Sequence, residues 1–390
     1  MPPRTRTVPA PQLSQEIRTG FAQRLMAWYR EHARVLPWRG LRDPYRIWLS
    51  EIMLQQTRVN AVLEHYARFV ERFPTLLALA LAPEADVLAA WSGLGYYRRA
   101  RMMHRAAMLL VAEHGGALPR SAAELRRLPG IGNYTSAAIA SIAFGESIAV
   151  IDGNVERVLL RILGLPETPG AAAADMLNDV AQSLLPDQNP GDHNQAMMEL
   201  GATICLPRSP RCSACPVFDF CRTRGEHPTV ARAPMQSRQA RYSLITRKAR
   251  GSVQVEILLQ RRLPDASLMA GMLELPQLKL PDAEHVAPET DTPLVLEAEP
   301  VLRVRHAIVG VNYYVEVVAL PNRRTVRKRA LRTDDLEWVP ARELQNHPLT
   351  GLTRKVLQRL RLMKASGEEK TPDIPLLIGR ASRVATGNEA

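Results

Sequence analysis

The sequence predicts two domains of different class: an all-α domain over residues 14–225, then an α+β domain over residues 241–365. Three observations carry that reading. Apolar residues recur at helical spacing through the first stretch, broken by Pro and Gly turns. All four cysteines of the 390-residue chain fall between positions 205 and 221 and close it. Beyond residue 240 the pattern becomes strand-like at 252–259 and 311–320, and helical spacing returns only at 353–363. Residues 226–240 are polar, basic and aperiodic, as a linker is, and residues 366–390 are expected to be a disordered tail.

The first domain can be followed element by element. Phe21, Leu25 and Trp28 mark the apolar face of a first helix. Between Ile47 and Thr57 the only charged residue is Glu51, set among Trp48, Leu49, Ile52, Met53 and Leu54, so this helix is expected to be buried. Ser121 and Glu124 form a capping box. Leu128-Pro129-Gly130-Ile131-Gly132-Asn133-Tyr134-Thr135 then reads as a hairpin between two helices. Such a turn offers backbone N–H groups and the positive end of its second helix to a phosphate. Gly93-Leu94-Gly95-Tyr96-Tyr97 echoes it 37 residues earlier; Gly-x-Gly is also a common helix terminator, and the echo alone does not choose. Asp152 follows the apolar run Ile148–Ile151 and opens another helix.

Composition bounds the chemistry. A formal net charge of +12 favours a polyanionic partner. There is no 18-residue apolar run and no signal-peptide core, so the protein is expected to be soluble, unsecreted and cytoplasmic, near the nucleoid if DNA is the partner. Four clustered cysteines point to a metal site in a reducing compartment. The first lysine is Lys248, which excludes Schiff-base chemistry from the helical domain. What remains is carboxylates and water.

Glu51 on an apolar helix has the surroundings that raise a carboxyl pKa and suit a general acid, although an ion pair with Arg58 fits the same position. Asp152 fits a helix N-cap, and equally an ionised group that stabilises a cationic sugar when a glycosidic bond breaks. The spacing Cys205-x6-Cys212-x2-Cys215-x5-Cys221 fits a cubane iron–sulfur cluster or a structural zinc ion.

These stretches, with Leu36-Pro37-Trp38-Arg39, Trp48 through Thr57, Ile151 through Val155 and Asn194 through Gly201, resemble the adenine DNA glycosylases of the MutY family. That family belongs to the helix-hairpin-helix superfamily with endonuclease III. The resemblance implies a glycosylase fold with one [4Fe-4S] cluster on Cys205, Cys212, Cys215 and Cys221. It implies that Glu51 protonates N7 of an extruded adenine, and that Asp152 stabilises the sugar cation with Asn154 and Tyr134 beside it. Arg34, Leu36, Trp38, Arg39 and Gln195 match base-pocket positions. Leu54, Gln56, Thr57 and Tyr96 match residues at the opened duplex, with Gly130 and Gly132 in the phosphate-binding hairpin. Strand-cleaving relatives carry a lysine where this chain has Tyr134, so a monofunctional enzyme is expected.

Residues 241–365 resemble the Nudix-like domain that follows the catalytic domain in adenine glycosylases, but without the glutamate run a Nudix hydrolase needs for magnesium. It is expected to read DNA. Members of the family read 8-oxoguanine there with a Phe-Ser-His loop. The matching stretch here is His306-Ala307-Ile308-Val309-Gly310, so discrimination between 8-oxoguanine and guanine opposite the adenine is expected to be reduced, unless Asn312 or Tyr313 takes over the polar contact. The expected substrate is double-stranded DNA with A·8-oxoguanine or A·G mispairs, bound by a monomer with no membrane partner. Two other functions fit part of the pattern. A thymine glycosylase for G·T mismatches would share only the first domain. A non-catalytic iron–sulfur DNA-binding protein would need neither Glu51 nor Asp152.

Overall fold

The computed structural model describes residues 13–166, 171–227, 235–249, 254–266, 268–278, 299–308, 310–320 and 335–363. Val309, Ser267, residues 228–234 of the expected linker, the basic run 323–329 and the tail 366–390 lie outside the described residues, while residues 236–240 of that linker are instead the start of the strand Gln236–Leu244, paired with Val311–Ala319. The chain divides into two compact units. One contains Met1–Ala82 and Arg101–Arg232, the other Pro83–Ala100 and Ala233–Ala390.

The described helices up to residue 203 are α1 (Gln15–His32), α2 (Pro44–Leu54), α3 (Val59–Arg72), α4 (Leu76–Leu81), α5 (Glu84–Trp91) and α6 (Arg98–Glu113). They continue as α7 (Ala122–Leu125), α8 (Asn133–Phe144), α9 (Gly153–Leu163), α10 (Ala171–Leu184) and α11 (Pro190–Thr203). Their ends follow local chemistry. Asp43 caps α2 by accepting the N–H groups of Tyr45 and Arg46, and Pro44 supplies a pre-set first residue. Ser121 caps α7, its hydroxyl accepting the Glu124 N–H and donating to the Glu124 carboxylate at 2.7 Å, in place of the backbone bond from Ser121 that a full capping box would add. α9 ends at Gly164 with φ +69°.

α2 is buried on nearly every side, from Ile47 to Met53, and packs against α8. α8 is buried from Thr135 to Ile142 and built mostly of Ala and Ser, which allows α2, α7 and α11 to approach it. Between α7 and α8 the chain turns at Gly130, with φ +78°. A Cβ there would lie 2.5 Å from Cβ of Met102, so only glycine closes this hairpin against α6. Phe21, Leu25, Val155, Leu159, Leu177 and Leu200 bring α1, α9, α10 and α11 into one core.

The second unit contains two sheets of four strands among the described residues. One runs β5 (Gln277–Leu278), β1 (Gln236–Leu244), β7 (Val311–Ala319), β6 (Pro300–Ile308), with β1 and β7 parallel and the other pairs antiparallel. The other pairs β3 (Val255–Arg261) with β2 (Thr246–Lys248), β4 (Leu273–Glu274) and β8 (Leu336–Pro340). Alternation along β7 sends Tyr313, Val315 and Val317 to the core, where Val304, Tyr242 and α12 (Gly351–Arg359) meet them. Tyr314 and Glu316 take the opposite face, opposite Arg305 and Arg303 in register. An all-α region followed by an α/β region with sheets is what the pattern predicts.

Candidate active site

Glu51 is only 6% exposed, and the hydrogen bond it receives comes from the Tyr134 hydroxyl, which donates to Oε2 at 2.6 Å. Burial pushes its carboxyl up to about 7; the Tyr134 hydrogen bond pulls it down, Asp152 pushes it up again and Arg39 lowers it. The alternative of an ion pair with Arg58 is not what forms. Tyr134 is held far above the ordinary tyrosine range, first by its own burial and then by Glu51, so it remains a hydroxyl donor. It also meets Met198 Sδ at 3.4 Å.

Asp152 does cap α9. Oδ1 accepts the N–H of Asn154 at 2.9 Å and of Val155 at 2.7 Å, while Oδ2 accepts Asn154 Nδ2 at 2.8 Å. Capping and facing a substrate are compatible here, because Asp152 also lines the same open cleft as Glu51. Arg157 extends the row: Nη2 donates to Asn154 Oδ1 at 2.9 Å and to the Gly201 carbonyl, and Nε to the Cys205 carbonyl at 2.8 Å.

The cleft measures about 1950 Å3. Arg34, Leu36, Trp38, Arg39 and Gln195 form one wall of it. Leu54, Gln56 and Thr57 line it at the end of α2, and Gly130 and Gly132 at the hairpin. Gln56 takes φ +56°, an uncommon conformation for a residue with a side chain. The fold therefore gathers residues from positions 34 to 202 into one site. Tyr96 is not among its lining residues; it lies in the second unit, exposed, with φ +48°.

Glu199 had no role in the sequence reading, yet it organises one wall. Its side chain is fully buried, and Arg34 donates to it three times, from its backbone N–H at 3.2 Å, Nε at 2.6 Å and Nη2 at 2.7 Å, with Arg39 Nη2 on Oε2. Burial alone would raise this carboxyl, but the bonds from Arg34 and Arg39 outweigh it and hold it below the ordinary range. Arg39 also lies 5.3 Å over the Tyr29 ring, whose hydroxyl reaches Gln195 Oε1 at 3.4 Å. The signal for Glu199 was present only as a carboxylate in a matched stretch; its arginines lie more than 150 residues away in sequence.

The four cysteines are free of disulfides and surround a recess of about 300 Å3. Burial, with crowding by the other thiols, pushes Cys215 up to about 11, so holding it as a thiolate needs a cation beside it. Arg161 is buried beside them, donating to the carbonyls of Leu206 at 2.7 Å and Pro207 at 3.0 Å and to Cys205 Sγ at 3.4 Å.

In the second unit, His306 and Ile308 lie half-buried toward the end of β6, and Val309 is outside the described residues. The two residues considered for the polar contact, Asn312 and Tyr313, lie next to each other on β7. Asn312 is buried and accepts from Arg305 Nε at 3.3 Å, and Tyr313 packs on the core.

Comparison with known proteins follows the same division. A family described as HhH-GPD superfamily base excision DNA repair protein matches residues 49–182, and one described as the iron-sulfur binding domain of endonuclease III matches residues 205–221. The adenine DNA glycosylase of Mus musculus is 37% identical over 319 residues, covering 68% of this chain, and the chain spans 62% of that relative's length. The adenine DNA glycosylase of Mycolicibacterium smegmatis is 42% identical over 235 residues, covering 59% of this chain and 77% of the relative. That of Schizosaccharomyces pombe is 32% identical over 319 residues, covering 66% and 69%.

Proposed function

The chain belongs to the adenine DNA glycosylase family, and from that premise we propose that it is a monofunctional glycosylase that excises adenine from mispairs in duplex DNA and so begins base excision repair. One observation carries the reading: a buried Glu51 carboxyl, pushed up to about 7 and held by Tyr134, lines the same cleft as Asp152. Two carboxyl groups in different surroundings divide the labour of glycosidic cleavage.

An adenine extruded into the cleft meets Glu51, which passes its proton to N7. The C1′–N9 bond then breaks with its electron pair going to the base, which leaves neutral. Positive charge develops on the sugar and is stabilised by the Asp152 carboxylate, held in place by the N–H groups of Asn154 and Val155. Water adds to C1′, its proton returns to Glu51, and an abasic site remains. No amine in the helical unit can trap that sugar as a Schiff base: Tyr134 stands in the hairpin and the first lysine is Lys248, so the strand stays intact. Cys205, Cys212, Cys215 and Cys221 would hold the [4Fe-4S] cluster, which would tie together the loop that Arg161 of α9 meets.

The α/β unit is, in this reading, a Nudix-like domain that contacts the partner strand, and the enzyme acts as a monomer on A·8-oxoguanine and A·G pairs. With Asn312 and Tyr313 both committed elsewhere, preference for 8-oxoguanine over guanine is reduced. The test is incubation with duplexes bearing one A·8-oxoguanine, A·G or T·G pair, read for free base, then for strand breaks before and after alkali. Adenine release with breaks only after alkali supports the proposal. Thymine release, no base release, or breaks without alkali would overturn it.

A further inference from the structure

The turn Gly93–Tyr97 is built into the second unit by contacts with residues some 250 positions later. Ser92 follows α5; its Oγ donates to the Leu349 carbonyl at 3.1 Å and accepts from Arg354 Nε at 3.0 Å. The Tyr97 hydroxyl donates to the same carbonyl at 3.0 Å, and α5 packs on the 3-10 turn Ala341–Asn346. Ser92, Tyr97 and Leu349 are all buried. The turn is also braced from within: Trp91 Nε1 donates to the Gly95 carbonyl at 3.1 Å, and Arg99 Nη2 to those of Leu94 and Gly95. Gly93 and Gly95 take φ of +112° and +70°.

The outer side of this framework is different. Tyr96 is 51% exposed and left-handed, a conformation tyrosine adopts only where its surroundings enforce it. The Arg99 guanidinium lies 5.5 Å over its ring, and Arg98 and Arg101 follow directly. An exposed, rigidly presented aromatic ring with an arginine over it fits an opened nucleic acid, whose bases stack on the ring while a phosphate meets the cation.

We propose that Ser92, Arg354 and the Leu349 carbonyl form a latch through which the C-terminal α/β unit sets the Gly93–Tyr96 turn, making Arg354 and Ser92 positioning residues for DNA binding by Tyr96. The inference rests on the DNA glycosylase reading. It gives the α/β unit a second route to DNA, through the turn it holds rather than its own surface.

The test is a double-mutant cycle in the full chain, using a duplex with guanine opposite a 2′-fluoro-adenosine that resists cleavage. Tyr96→Ala and Arg354→Ala are each expected to weaken binding about tenfold, and the double variant no further than Tyr96→Ala alone, because both remove one contact. Arg354→Lys keeps a donor for Ser92 and should recover most of the affinity. The rate of adenine release at saturating protein should fall less than the affinity does. Should Arg354→Ala fail to fold, Ser92→Ala replaces it in the cycle. Unchanged affinity, or losses that add fully in the double variant, would overturn the latch. An unmodified protein that releases no adenine from any duplex would overturn the proposed function instead, and the binding cycle would still decide the latch.

Discussion

Two buried glutamates line the same cleft and are held in opposite states. Glu51 receives a phenol, from Tyr134, and is pushed up to about 7 by burial. Glu199 is buried as completely but receives two guanidinium groups, from Arg34 and Arg39, and stays below the ordinary carboxylate range. Burial is common to both, so the charge of the partner decides. A neutral donor leaves the carboxyl free to keep a proton and give it up; a cationic fork fixes the charge and turns the carboxylate into a scaffold for the arginines beside it. One wall of the cleft is thereby set up for proton transfer and the other for recognition.

The largest break in that comparison is Glu51→Gln, which keeps the shape and the Tyr134 bond but has no acidic proton. Adenine release should fall about 10²–10⁴-fold, with duplex binding retained. Asp152→Asn should cost about 10²–10³-fold through loss of the charge opposite the sugar. Both are read by single-turnover base release; substantial turnover by either variant removes that residue from the mechanism.

Glu199→Gln attacks the other wall. It leaves Arg34 and Arg39 without a counter-charge, and urea unfolding should show a loss of about 2–3 kcal/mol, discounted for the partial exposure of Arg34. It should also weaken substrate binding more than it slows release at saturation. A variant as stable as the parent would show that the two arginines do not depend on this charge.

The smallest effects are in pH, and the two glutamates should differ in sign. Between the ordinary value of 4.5 and about 7, folded Glu51 keeps a proton that the unfolded chain has lost, so its contribution to stability falls as pH rises through that window. Glu51→Gln should therefore be more stable than the parent by roughly 2–3 kcal/mol above pH 7, and no more stable below the unfolded value. Glu199 is depressed, so its contribution is present above the ordinary carboxylate range and lost as pH falls through its lowered value. Base release in the parent should decline above about pH 7, where Glu51 ionises. A rate that keeps rising through pH 9 would assign the acid to another group.

The site was legible in the sequence where chemistry and local pattern coincide. Glu51 stood alone on an apolar helix, and Asp152 followed an apolar run at a helix start; the structure adds that its cap and its place in the cleft are the same arrangement. Glu199 was not legible, because what sets its charge is a contact between distant helical segments that no spacing rule reports. The two Gly-x-Gly turns, between which the sequence did not choose, differ in the structure. They share a sequence pattern, but Gly130 is required by its approach to Met102 and Gly132 is extended, whereas Gly93 and Gly95 are both left-handed and pass the strain on to Tyr96. Residues 83–100 also belong with the C-terminal unit, although in sequence they continue the helices and turns of the first stretch, because the contacts that place them there are more than 200 residues away in sequence.

Arg161 has a consequence beyond the site. Its guanidinium is buried among carbonyls of the cysteine loop, and no carboxylate among the described residues pairs with it. The negative charge that balances it comes with the thiolates of a metal group that the gene does not encode. A chain made while iron is scarce therefore holds a desolvated guanidinium met only by the Leu206 and Pro207 carbonyls and the Cys205 sulfur, and this loop is the part expected to open first and meet the proteases. The level of folded protein should then follow the iron supply, which soluble protein measured after growth with and without added iron would check.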